Sequence, residues 1–205
     1  MDGEVNSRLR AALDDQDLDV VWAAIRALPG ADAPDAREVV PALRRLVQDQ
    51  SEQKLLRTAS AARLLAGIEP ETEGLVETLI RVVEQKDNPN PEWDARAMAV
   101  DGLGRLGGRA EPAVSVLIQI VGDDQMEVIS FRVEGGGYAF SYGGGPKPGF
   151  KSVRVRAIEV LGQLGPAAQE AIPVLRSLIE PRNERTSQAT IKAAVEAMGK
   201  VSGSK

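Results

Sequence analysis

Apolar residues recur along this chain at helical spacing, in segments separated by short polar turns. Five segments, which we call first-type, contain a small residue followed four positions later by a large apolar one. The pairs are Ala24/Leu28, Ala61/Leu65, Ala99/Leu103, Ala157/Leu161 and Ala194/Met198. Successive alanines are 37, 38, 58 and 37 residues apart, so three steps agree and one is longer. A regular period of this length predicts a repeat protein whose units contact mainly their neighbours.

Second-type segments lie between the first-type ones and follow the same steps. They read VVPALRRLV, LVETLIRVV, VSVLIQIV and AIPVLRSLI, with Leu43, Leu79, Leu117 and Leu175 in register. In the fourth unit, Val153, Ala157 and Leu161 lie at i, i+4 and i+8, which places them on one face of a helix. Glycine and proline between the segments end one helix and start the next. The pattern therefore predicts about ten helices in alternating pairs.

The fourth unit, VRVRAIEVLGQLGPAAQEAIPVLRSLI, resembles a bacterial HEAT-like repeat. The matching residues are Arg154, Ala157, Leu161, Gly162, Gly165, Pro166, Pro173 and Leu175. The resemblance covers nearly all of 6–200 and implies an all-α fold, a right-handed alpha-alpha superhelix. Units one and two depart from it, with Val21 and Thr58 where Arg154 stands, which we interpret as relaxed packing. Families similar in repeat pattern include scaffolds, assembly factors, bilin-attaching lyases and a few DNA-repair enzymes.

We expect one solenoid over 1–205 with half-units at both ends. Its predicted parts are a cap helix at 6–13, repeats at 19–50, 54–87, 92–123 and 152–181, a terminal helix at 188–200, and an insertion at 125–150. Solenoids need polar-faced caps, and we interpret the half-units as such caps. The alternative is that they are cut edges of a longer protein.

The insertion differs in composition from the repeats and predicts a β-hairpin. It holds every phenylalanine and tyrosine of the chain and seven of the twenty glycines. A two-residue turn at Gly135-Gly136 would pair Phe131 with Phe140, and would place six apolar side chains on one face. An isolated hairpin is marginal in water, so this face must cover something. It could pack on the solenoid, dock a partner, or self-associate through a strand edge. The predicted docking residues are Phe131, Arg132, Tyr138, Phe140, Tyr142 and Phe150.

The second-type helices supply a second predicted binding surface, because such helices usually line the concave face of a solenoid. Steps of four residues from Pro41, Glu77, Ser115 and Pro173 give Arg45, Arg81, Gln119 and Ser177, and the neighbouring Arg44 and Arg176 extend this row of polar positions. We expect this row, Arg44, Arg45, Arg81, Gln119 and Arg176, to bind an acidic segment of a protein partner. The alternative is an ordinary solvated helix face.

The composition argues against several kinds of metal-binding and catalytic chemistry. The chain has no histidine and no cysteine, which removes the commonest metal ligand, thiolate sites and the usual proton-transfer group. A phosphate-loop-like GGPKPGFKS has the wrong spacing, and Asp15, Asp17 and Asp19 lack the glycine and glutamate of a calcium loop. We interpret these aspartates as a helix cap. Accordingly, we expect neither a cofactor nor a metal.

Charge is unevenly distributed, with net −9 over 1–124 and net +4 over 151–205. Without a basic face, nucleic-acid binding is unfavourable. The N-terminus shows no secretory signal and no apolar run is long enough for a membrane span, so we expect a cytoplasmic protein. The leading hypothesis is a non-catalytic scaffold or assembly factor that binds a protein partner. The alternatives are a subunit or enzyme resembling the bilin lyases, and a nucleic-acid-binding module.

Overall fold

The computed structural model describes residues 8, 11–27, 36–49, 54–85, 93–123, 128–132, 138–142, 151–180 and 186–203. Their elements, in chain order, are α1 (Leu18–Ala27), α2 (Val40–Gln48), α3 (Leu55–Ile68), α4 (Leu75–Glu84), α5 (Trp93–Leu106), α6 (Val114–Gly122), β1 (Val128–Arg132), β2 (Tyr138–Tyr142), α7 (Val153–Leu164), α8 (Ile172–Ile179) and α9 (Gln188–Val201). Residues 8 and 11–13 are also helical. Short 3-10 helices occupy Ala36–Val39, Gly107–Ala113 and Gly165–Ala171.

The helices stack in two layers. The first-type helices α3, α5, α7 and α9 pack each against the next, and the second-type helices α2, α4, α6 and α8 pack on them to form the other layer. Small residues let neighbouring helices approach closely. A Cβ on Gly162 of α7 would lie 3.1 Å from the Cα of Ala197 on α9. This stack is the helical-repeat architecture that the sequence period indicates.

The core lies between the layers and consists of the repeated positions. The first-type pairs Ala61/Leu65, Ala99/Leu103 and Ala157/Leu161 are all fully buried, as are the second-type leucines Leu43, Leu79, Leu117 and Leu175. Trp22 is half-buried against this core. Since each unit repeats the same buried set, apolar burial stabilises the whole stack rather than one centre.

Repeat-equivalent glycines end two of the first-type helices. Gly107 follows α5 and Gly165 follows α7, with φ values of +55° and +59°. This left-handed conformation costs little without a Cβ, and it allows the chain to turn from the first-type into the second-type helix.

Buried or half-buried arginines link three first-type helices, α3, α5 and α7, to the end of the preceding second-type helix. The Nε of Arg154 donates to the carbonyl oxygen of Val121 at 2.8 Å, and the Arg154 side chain is only 2% exposed. Its repeat equivalent Arg96 donates in the same way to the carbonyl oxygen of Gln85. In unit two the equivalent position is Thr58, and the adjacent Arg57 instead pairs with Asp49, the residue after α2. That unit therefore departs from the pattern because a neighbouring arginine provides the tie.

The predicted fold class is wrong as stated, because the folded body is all-helical and the inserted hairpin as predicted is not seen. Within the described part of the insertion, β1 and β2 form one short antiparallel pair in which Phe131 lies opposite Ala139 and Arg132 opposite Tyr138. The predicted pairing of Phe131 with Phe140 is off by one residue. This register leaves an odd number of residues between the strands, which excludes the two-residue turn. Three consecutive glycines, 135–137, do not impose one loop length, so they failed to specify the register.

Candidate binding surfaces

The polar row predicted on α2, α4, α6 and α8 lies largely at the surface. Its exposed members are Pro41, Arg44, Glu77, Ser115, Gln119, Pro173, Arg176 and Ser177, while Arg45 and Arg81 are half-buried. We call these residues the second-type surface. Arg81 and Arg176 make no hydrogen bond or ion pair with any residue that the structure describes, so both are free to contact another molecule.

Arg45 has a structural role instead. Its guanidinium donates to the carbonyl oxygens of Leu13 and Asp15, with 3.1 Å between Nη1 and the Leu13 oxygen. These carbonyls end the helical turn at 11–13, where the negative end of the helix dipole favours a cation. The hydrogen bonds fix this turn to α2. A substitution of Arg45 would therefore disturb the fold as well as any partner contact.

Arg44 lies at the rim of a cavity of about 450 Å³ lined mainly by polar and acidic residues. Its Nη2 is 2.6 Å from Oε2 of Glu69, and Thr72 Oγ1 also donates to Glu69. The hydrogen bond from Arg44, the largest influence, holds the pKa of Glu69 below its ordinary value, against a smaller opposing effect of burial. The charge of Arg44 is thus satisfied within the chain, and three glutamates, Glu69, Glu71 and Glu73, make this cavity acidic.

Gln119 lines a second cavity, of about 350 Å³, between the C-terminal ends of α4 and α6. Its walls combine apolar Val83, Val116 and Ile120 with Arg96 and Asp123. Burial lowers the pKa of Arg96, while the charge of Asp123 opposes this effect. The Arg96 guanidinium donates a hydrogen bond to the Gln85 carbonyl oxygen. The hydrogen bond that joins α4 to α5 therefore also fixes the position of Arg96 in the wall of this cavity.

The insertion residues on β1 and β2 are described by their backbone alone. Phe131 and Arg132 lie on β1, and Tyr138, Phe140 and Tyr142 lie on β2; Phe150 lies outside the described residues. Only their backbone pairing is described, so their role in binding stays a prediction.

A charged surface on the first-type helices was missed from the sequence. Arg63 on α3 is close enough to Asp101 and Arg105 on α5 and to Arg156 on α7 for their charges to affect its pKa. Nη1 of Arg156 is 2.6 and 2.7 Å from the two carboxylate oxygens of Asp101. We call these four residues the first-type cluster. The repeat steps contain the signal, because they align Arg63 with Asp101 on successive first-type helices.

The outer face of α9 was also missed. Val195 is 53% exposed, whereas its repeat equivalents Ile158, Val100 and Ala62 are fully buried. Nothing lies within 4 Å of a Cβ built on Gly199, whereas the equivalent Gly162 and Gly104 face the next first-type helix. Among the described residues, α9 thus leaves uncovered a face that every inner unit covers.

Asp17 caps α1, Asp15 accepts a hydrogen bond in the turn before it, and Asp19 lies in the first turn of the helix. Oδ1 of Asp15 accepts from the backbone N–H of Asp17, and Oδ1 of Asp17 accepts from that of Asp19, both at 2.8 Å. Asp19 also pairs with Lys54 and Arg57, and these hydrogen bonds and charges lower its pKa, with Lys54 the largest cause. No group of three or more acidic side chains within the described ranges could surround a metal ion.

In the part of the chain that the structure describes, no helix combines the length and the apolar character that crossing a bilayer requires.

The fold and these surfaces define a class, a two-layer helical-repeat solenoid with exposed polar faces. No family model matches the chain, and neither does any curated protein. Among solved structures, it is similar to a chain in the complex of CpcE and CpcF of phycocyanin lyase from Nostoc sp. PCC7120. The TM-score is 0.59 and the identity 23%, over 97% of this chain. This chain spans 65% of the length of that one, and the likeness shows the fold alone.

This comparison corrects one prediction. We expected a non-enzyme, partly because solenoids so often serve as scaffolds. The solved chain with a similar fold comes from a lyase complex, so the architecture is no ground for excluding catalysis. That solved structure is also a complex of two different protein subunits.

Proposed function

We propose that this chain is a subunit of a lyase-type assembly and that it works by binding a second, helical-repeat protein chain. The observation that carries the proposal is the similarity of nearly its whole length to a chain from a two-subunit lyase complex. The proposed substrate class is a bilin, as the resemblance of the repeat pattern to bilin-attaching lyases implies. This function replaces the scaffold hypothesis, because nothing in the fold favours a scaffold over a lyase subunit.

The outer face of α9 supports a partner of this kind. Within the stack, the positions equivalent to Val195 and Gly199 are covered by neighbouring helices. A partner that presents an amphipathic helix would cover the α9 face in the same manner and continue the stack between two chains. An exposed apolar residue beside a glycine allows such close helix approach, and burying it contributes to association.

The first experiment is an affinity pull-down in which the tagged chain captures its binding partners from a lysate of its own host. We expect mass spectrometry to identify a helical-repeat protein, and light scattering of the two purified proteins to give a defined hetero-complex. Adding a bilin to this complex should change the absorption spectrum of the bilin more than adding it to either chain alone. Recovery of no second chain, or of a complex without any spectral effect on the bilin, would count against the function.

Matched variants locate the interface. Val195→Asp places a charge on the exposed α9 face and should weaken the complex by at least about tenfold, or about 1.4 kcal/mol. Leu56→Asp is the control, because Leu56 is also exposed, at 39%, but lies on α3. Arg81→Glu and Arg176→Glu test the second-type surface in the same assay. If all three substitutions at the proposed surfaces leave the affinity unchanged, the partner binds elsewhere.

A further inference from the structure

The first-type cluster contains more positive than negative charge, and two of its arginines lie on adjacent first-type helices. Arg63 on α3 is half-buried and Arg105 on α5 is exposed. Burial is the largest cause of the lowered pKa of Arg63; the positive charges of Arg105 and Arg156 lower it further, and the negative charge of Asp101 opposes them. Neither guanidinium forms an ion pair or hydrogen bond with any residue that the structure describes. Like charges repel each other, so an additional neutralising group would stabilise this arrangement.

The one carboxylate in the cluster is already engaged. Both oxygens of Asp101 accept from Nη1 of Arg156 at 2.6 and 2.7 Å. Three arginines and one aspartate leave a net charge of +2 on this surface. Furthermore, Nε of Arg63 is buried and has no hydrogen-bond partner among the residues that the structure describes. Such groups are uncommon in folded proteins and often mark the place of a bound ion or water.

The position of Arg105 depends on a glycine. A Cβ on Gly67 would lie 2.8 Å from Nη1 of Arg105, so the guanidinium rests directly against the α3 backbone. Gly67 lies one helical turn after Arg63, which brings Arg105 across to the same helix that carries Arg63. The missing side chain therefore creates the space that Arg105 occupies, one helical turn from Arg63.

We propose that Arg63 and Arg105 form a binding site for a small dianionic oxyanion, either a phosphate group or a dicarboxylate. The planar guanidinium fork matches the geometry of both ligands. The anion would neutralise the excess charge on the surface of α3 and α5. This site lies on the first-type helices and goes beyond the proposed partner interface on α9.

The test uses the isolated full chain, so its outcome does not depend on any protein partner. The Nε–Hε NMR resonances of arginine are followed during separate titrations with inorganic phosphate, succinate and, at equal ionic strength, chloride. We expect a saturable shift with phosphate, succinate or both, and none with chloride. The two oxyanion titrations distinguish a phosphate site from a dicarboxylate site. No saturable shift with either would overturn the proposal.

Two variants assign the site. Arg105→Gln removes one fork and should weaken the Kd by about tenfold, equal to about 1.4 kcal/mol. Gly67→Ala keeps every charge but displaces Arg105, and should weaken binding without loss of helicity. The control is Arg109→Gln, which removes an equally exposed arginine that pairs with Glu71 elsewhere. Unchanged affinity in both Arg105→Gln and Gly67→Ala, or an equal loss in Arg109→Gln, would show that the site is wrong.

Discussion

Replacing Arg154 with methionine should destabilise the stack strongly, although the change removes a charge from the interior. Methionine has similar length and fills most of the same space, so the variant loses the polar interactions of the guanidinium, among them its hydrogen bond to the Val121 carbonyl oxygen. Arg154 is 2% exposed, and its Nε lies 2.8 Å from the carbonyl oxygen of Val121, in the last turn of α6. In the variant that carbonyl stays buried and has lost this donor.

The magnitude follows from two contributions. A hydrogen bond from a charged donor is worth about 1.5–3 kcal/mol. The interaction of the cation with the C-terminal end of α6 adds about 0.3–1 kcal/mol. We therefore expect the free energy of unfolding to fall by about 2–4 kcal/mol, and Tm by about 5–15 °C for a chain of this size.

The assay is urea unfolding followed by far-ultraviolet circular dichroism, with hydrogen exchange to locate the effect. Arg176→Met is the matched control, because Arg176 is exposed on α8; its change should stay within about 0.5 kcal/mol. Protection should fall first in α6 and α7. If Arg154→Met is as stable as Arg176→Met, the carbonyl tie is not what joins these units.

Three further predictions follow from the same structure. Gly162→Ala should lose about 1–3 kcal/mol because its Cβ would meet the backbone of Ala197 at 3.1 Å, whereas Gly199→Ala, with open space, should gain up to about 1 kcal/mol in thermal unfolding; equal effects would contradict the packing of α7 on α9. Arg45→Ala should increase hydrogen exchange in residues 11–15 more than Arg44→Ala does, because only Arg45 bonds the carbonyls of that turn. Carboxyl NMR titration should give Glu69 a pKa below its ordinary 4.5, and this pKa should rise towards 4.5 in Arg44→Ala. Because the folded pKa is lowered, the ion pair contributes stability above pH 4.5, and this stability is lost as the pH falls through the folded pKa. An unchanged pKa in the variant would refute the assignment.

Whether a feature could be predicted from the sequence depended on how far apart its interacting residues lie along the chain. Helical spacing and the repeat steps determined the helices and their buried faces, because both depend on which residues within one unit are apolar. Ala157 and Leu161 are buried for the reason their spacing indicates. The exposed row on the second-type helices also follows from that spacing.

Only the tertiary structure decided which charges meet. Arg45 bonds the Leu13 carbonyl across 32 positions, and Arg156 pairs with Asp101 across 55, and neither partner is marked in the local sequence. The register of β1 and β2 also needed the structure, because a run of glycines permits several loop lengths. Apolar periodicity specifies what is buried within a unit, whereas long polar side chains reach across units, and their partners depend on how those units stack.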